Sequence, residues 1–124
     1  MELFDAFDLP DWTGTSAVTW RGETTLTLDA HVKGALHAEP DLRQQLDLLA
    51  VDAAYPRPVC PDELRVQVHQ AWNLGEVQLL DVGGRVAVAA PGTRLDANAV
   101  CELLQRFARA VGAPEHNLTV SIVL

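Results

Sequence analysis

The chain is poor in the residues that most catalytic and anchored proteins rely on. Its 124 residues include two cysteines, one lysine and two serines, with three Trp, three Phe and one Tyr as the whole aromatic content. Cys60 and Cys101 lie far apart and in no ligand spacing, which excludes a structural zinc motif and predicts two reduced, buried thiols. Neither Ser16 nor Ser121 sits in a Gly-x-Ser-x-Gly elbow. Gly83-Gly84 lacks the following Lys-Ser/Thr of a phosphate loop. No apolar run approaches the roughly 20 residues that cross a bilayer. The opening Met1-Glu2-Leu3-Phe4-Asp5 is acidic where a secretory leader carries positive charge, so a soluble, cytoplasmic protein is expected.

Positive charge is the other scarcity. Nine Lys and Arg face 17 Asp and Glu, for a net charge of −8. The cations are scattered, at Arg21, Lys33, Arg43, Arg57, Arg65, Arg85, Arg94, Arg106 and Arg109. Such a chain repels phosphate backbones and anionic lipid surfaces, which argues against nucleic acid and membrane as partners. It suits another protein with a basic surface. Glu2, Asp5, Asp8 and Asp11 recur every third residue beside Phe4, Phe7 and Trp12. That mixture makes Phe4, Phe7 and Trp12 the candidate partner-binding residues.

What is present is enough for one domain. Apolar residues make up 48% of the chain, sufficient for a core without metal or disulfide staples. Residues 1–15 read as a lead-in, with Leu3, Phe4 and Phe7 on one helical turn that Pro10 and Gly14 end. A hairpin is expected next, Ala17–Trp20 and Glu23–Val32 around an Arg21-Gly22 turn, with Leu26, Leu28, Ala30 and Val32 on one face. Residues 39–56 are read as a helical turn near Pro40, then a strand from about Leu46 to Tyr55. Pro61, Asp62 and Glu63 open a helix striped by Leu64, Val68, Ala71 and Trp72 and ended by Asn73 and Gly75. A second hairpin, Val77–Asp81 and Val86–Ala90, turns at Gly83-Gly84. Asp96 caps the best-specified helix, whose apolar face is Val100, Leu103, Leu104, Phe107, Ala108 and Val111, with Gly112 at its end. Leu118, Val120, Ile122 and Leu124 alternate with smaller residues in a terminal strand. The expected fold is therefore α+β: an antiparallel sheet built from two hairpins and the terminal strand, packed by two main helices.

Few constellations carry chemistry. His31, His37, Glu39 and Asp41 are close in sequence, but their spacing converges on neither a helix face nor a strand face, so no metal is expected. His69 and His116 have no evident orienting partner, and both are read as solvated. Asp47 and Asp52 flank an apolar stretch and are read as solvent-facing charges. Trp72 is read as core, and Trp12, beside Pro10, as the exposed aromatic.

From Leu46 to Ala110 the order of elements is a strand ending in Tyr55-Pro56, a helix opening with Pro61-Asp62-Glu63 and closed by Asn73, the hairpin Glu76–Ala90, and the Asp96-initiated helix. This resembles the YbjN family, whose fold is that of type III secretion chaperones. The resemblance implies an α+β domain that is often dimeric, binds an extended partner polypeptide and has no active site. No functional residue carries over from it. Together these readings predict a noncatalytic protein-binding module, chaperone-like or an adaptor, without a cofactor and self-associating as a homodimer through its uncharged last strand. The competing expectations are a small-ligand-binding or enzymatic domain whose site forms only in the fold or at a dimer interface, and a structural subunit of a larger assembly.

Overall fold

The computed structural model of the chain describes residues 3–4, 8–26, 30–51, 77–92 and 94–123. The strands are β1 (Leu3–Phe4), β2 (Val18–Thr25), β3 (His31–Val32), β4 (Gly34–Ala38), β5 (Leu42–Gln45), β6 (Asp47–Val51), β7 (Gln78–Val82), β8 (Arg85–Pro91) and β9 (Leu118–Val123). Among the described residues two α-helices join them, the single turn α1 (Trp12–Thr15) and the long α2 (Ala97–Ala110). The α+β class holds, but the single antiparallel sheet does not. The strands divide into a sheet ordered β1-β7-β8-β6-β3 and another ordered β5-β4-β2-β9. Each is mixed, because β6 runs parallel to β8 and β9 parallel to β2.

Two of the chain's crossings between the sheets pass through a single residue. Lys33 separates β3 from β4, and Leu46 separates β5 from β6. Both backbone polar groups of Leu46 are satisfied at this corner: its N–H donates to Gly34 O at 3.0 Å and its C=O accepts from the Trp20 indole at 2.8 Å. Trp20 is fully buried. Position 34 must be glycine for it to lie there, since a Cβ on Gly34 would overlap the indole ring.

Several expectations change here. Arg21-Gly22 is not a turn: β2 runs straight through it, pairing Arg21 with Ala35 and Gly22 with Gly34. A glycine in a strand can mark close packing as well as a bend, and Gly22 lies beside the Trp20 ring. Leu3 and Phe4 form a strand against Leu80 and Leu79, not a helical turn. The helical turn near Pro40 is the bend between β4 and β5, and the strand expected from Leu46 begins at Asp47. The helix expected over residues 61–75, and Trp72 with it, lies outside the described residues.

Other elements match. Gly83 and Gly84 take φ of 61° and 81°, the paired left-handed geometry of a tight hairpin turn between β7 and β8. Asp96 caps α2, its carboxylate accepting from Ala99 N at 2.8 Å. Val100, Leu103, Leu104, Phe107 and Ala108 are buried at helical spacing. Helix α2 packs on β8 of one sheet and β9 of the other. It thus closes a core shared with Trp20, Leu36, Leu48, Leu79 and Val88. Cys101 lies off this stripe and is exposed, which corrects the expectation of a buried thiol there; Cys60 is outside the described residues. Among the described residues no helix is long and apolar enough to cross a membrane.

Candidate functional site

Asp47, read from sequence as solvent-facing, is fully buried. It begins β6 directly after the Leu46 crossover, so it lies where the two sheets meet. Its carboxylate collects donors from both. Oδ1 accepts from Gly34 N at 3.2 Å, Gln45 Nε2 at 3.0 Å and Arg85 Nη2 at 3.0 Å. Oδ2 accepts from Arg85 Nε at 2.8 Å and His31 Nε2 at 2.8 Å. Gln45 also bridges the sheets, its amide bonding Val86 N and O at 3.0 Å and 2.8 Å. Arg85 reaches on to Glu23 at 3.5 Å, and Glu23 is held by Arg43 at 2.6 Å.

Burial alone would raise the pKa of Asp47. The hydrogen bonds from His31, Arg85, the Gly34 amide and Gln45 outweigh it and hold the carboxyl well below the usual carboxylate range. The same pair, chiefly its hydrogen bond to Asp47, raises the Arg85 guanidinium further. The arrangement looks chemical by residue type, with Asp, His and Arg together. Its accounting is different. A carboxylate offers about four lone-pair positions, and five donors occupy them. Asp47 has no capacity left for a substrate proton or a metal. The signal that could have found it is the Gln45-Leu46-Asp47 order beside a run buried on both faces, since an acid at the head of such a strand needs internal donors.

The other sequence candidates are dispersed. His31 serves Asp47, while His37, Glu39 and Asp41 border a cleft on the outer face of the second sheet. Among the described residues no group of three or more His, Cys, Asp and Glu is placed to hold a metal ion. Trp12 is half-buried and packs against the main core. The backbone of Phe4 pairs with Leu79, and Phe7 lies outside the described residues.

Two open features belong to the second sheet. The cleft, about 590 Å³, runs over β9, β2, β4 and the β4–β5 turn, with Thr119, Thr19, Arg21, His37 and Arg43 in its wall. The Arg21 side chain is exposed and makes no hydrogen bond or ion pair among the described residues. The second feature is β9 itself. It ends its sheet, and among the described residues it pairs only with β2. Val123 C=O accepts from Leu26 N at 2.7 Å. Backbone groups alternate along a strand, so Thr119, Ser121 and Val123 bond towards β2 while Leu118, Val120 and Ile122 present their N–H and C=O to the open edge. The side chains of Leu118, Val120 and Ile122 are half-buried against the core, and those of Thr119, Ser121 and Val123 are exposed. The strand has no charge, no proline and, within Leu118–Val123, no break in its alternation.

No family model, curated protein or solved structure matches the chain, so its functional reading rests on its own geometry.

Proposed function

We propose that the chain is a noncatalytic protein-binding module, chaperone-like or an adaptor, that takes up an extended segment by strand addition at β9. The observation that carries this reading is the unprotected edge. Natural edge strands are blunted by lysine, proline, bulges or covering loops, and β9 has no charge or proline and pairs on one side only among the described residues. An added strand would gain main-chain hydrogen bonds from Leu118, Val120 and Ile122 and would cover three half-buried apolar side chains. The occupied carboxylate of Asp47 supports the noncatalytic part. The net charge of −8 supports a partner whose surface is basic, steered at long range.

The test is capture of a partner from native extract by wild type and by two edge variants. Ser121→Lys adds a protecting charge on an exposed position. Val120→Pro removes an outward N–H without touching the bonds to β2. A protein held by wild type and lost by both variants, at unchanged thermal stability, supports strand addition. A protein held equally by all three contradicts it.

A second reading, binding of a small polar or anionic ligand, is favoured by the cleft and by Arg21, which is unpaired among the described residues. Saturable binding of a small carboxylate or phosphate compound that Arg21→Ala abolishes would establish it.

A further inference from the structure

The strand-addition reading leaves open what holds the edge when no partner is present. We propose that a second copy of this chain holds it, with β9 pairing antiparallel to its twofold mate about Val120. This inference rests on β9 being a strand-accepting edge and adds the identity of its resting occupant.

Symmetry restricts the register. In an antiparallel pair, residues opposite one another share a face and direct their backbone groups the same way, both across the new ladder or both away from it, and the ladder's hydrogen bonds come only from the pairs that direct them across. Only Leu118, Val120 and Ile122 do so in β9. Centring the twofold on Val120 sets Val120 against Val120 of the second copy, and Leu118 against Ile122 in both directions. All three are hydrogen-bonded pairs, and all are apolar pairs on the core side. On the outer face, Thr119 falls opposite Ser121, a hydroxyl pair that needs no charge partner. Centring on Ser121 instead leaves Leu118 without an opposite within the strand and retains only the two Val120–Ile122 pairs. A one-residue slip from either centre sets core-side residues against exposed ones and outward amides against inward ones. The strand is thus complementary to itself in one best register. The contact is isologous, so it closes at two copies. It joins two four-stranded sheets into one of eight strands with both cores on the same side.

Charge sets the sign of the salt dependence. β9 is neutral, but each copy carries −8. Two copies repel beyond the contact, and salt relieves this as the Debye length falls from about 30 Å at 0.01 M to about 3 Å at 1 M. Self-pairing therefore tightens with salt, whereas capture of a basic partner weakens. A partner segment at β9 has to displace the second copy, so self-pairing competes with partner uptake.

The experiment is sedimentation equilibrium of the full chain across micromolar to millimolar concentration at low and high salt. Alongside it, cross-linking uses Val120→Cys and Ile122→Cys in a background with Cys60 and Cys101 replaced by serine. The expected result is a monomer–dimer equilibrium that shifts to dimer with salt. Val120→Cys then forms a disulfide-linked dimer readily, because hydrogen-bonded antiparallel pairs bring Cα atoms to about 5.5 Å. Ile122→Cys does not, because it faces Leu118. Val120→Pro and Ser121→Lys abolish the dimer while circular dichroism stays unchanged. A monomer at every concentration and salt, or a dimer that both edge variants leave intact, overturns the proposal. A labelled peptide of residues 117–123 separates the two levels. If it binds monomeric wild type but not Val120→Pro, strand addition stands and the self-pairing is wrong. If no dimer forms and the peptide fails to bind, both are wrong.

Discussion

The corner around Asp47 and the open side of β9 differ in how their polar groups are used. At the corner, an acid, a histidine, an arginine and two amide-bearing groups are drawn together, and the carboxylate is fully engaged inside the protein. At β9 there is no ionisable side chain, yet three residues present main-chain donors and acceptors on a side that no strand among the described residues pairs. Residue type points to the corner as the place of action. Hydrogen-bond accounting points to the edge, because a group can engage a partner only with valences that the fold has not consumed.

The largest expected effect lies at the corner. Asp47→Asn leaves Arg85, in a half-buried site, with only the longer contact to Glu23 as counter-charge and should cost roughly 3 kcal/mol, the lower end for breaking a buried pair because Arg85 is partly solvated and keeps Glu23. Urea unfolding measures it, and a loss below about 1 kcal/mol, ordinary for one neutral hydrogen bond, would break the contrast between corner and edge. The pH dependence sharpens it. A carboxyl whose folded pKa is depressed contributes fully above the ordinary value of 3.8 and loses that contribution as pH falls through the folded value. The stability gap between wild type and Asp47→Asn should thus be constant near neutrality and narrow only below about pH 4. A gap that closed between pH 5 and 7 would mean that another group controls the corner.

A smaller loss is expected for Gly34→Ala, whose Cβ displaces the Trp20 ring from its bond to Leu46 O. Overpacking of this kind costs about 1–3 kcal/mol, and a shift in Trp fluorescence should accompany it. His31→Phe keeps a ring but removes one of five donors to Asp47, for about 1–2 kcal/mol by urea unfolding. A loss equal to that of Asp47→Asn would show that His31, not Arg85, anchors the carboxylate.

How much of this could be read from the residues follows the same division. Local chemistry was legible. Asp96 and Gly112 bracket α2 because a cap and a left-handed terminus need only their own neighbours, and Gly83-Gly84 specifies its turn in the same way. The alternation of Leu118–Val123 was legible as a strand, and its lack of charge as an edge without protection. Pairing was not. Nothing in β9 names β2, nearly a hundred positions earlier, as its parallel neighbour, and nothing in Arg21-Gly22 distinguishes a turn from a strand crossing under a tryptophan. Asp47 was misread because the donors that make its burial tolerable come from β3, β4, β5 and β8, a set that exists only after two sheets have met.

The smallest effect on stability should come at the edge, where it matters most for binding. Ser121→Lys changes an exposed side chain and should stay within about 0.5 kcal/mol of wild type in urea, while removing strand uptake. A variant that unfolded the domain would show that the outer face of β9 is structural, and the contrast with Asp47 would lose its second half.

The most direct test is amide hydrogen exchange along β9, read residue by residue in dilute protein and again with the edge occupied by a second copy or a bound segment. In dilute protein the amides of Thr119 and Ser121 should be protected and those of Val120 and Ile122 should exchange quickly. Occupation of the edge should protect Val120 and Ile122 and leave Thr119 and Ser121 as they were. Equal protection of all four amides in the dilute protein, unchanged by concentration or partner, would contradict the account, because it would mean that β9 has no open edge to offer.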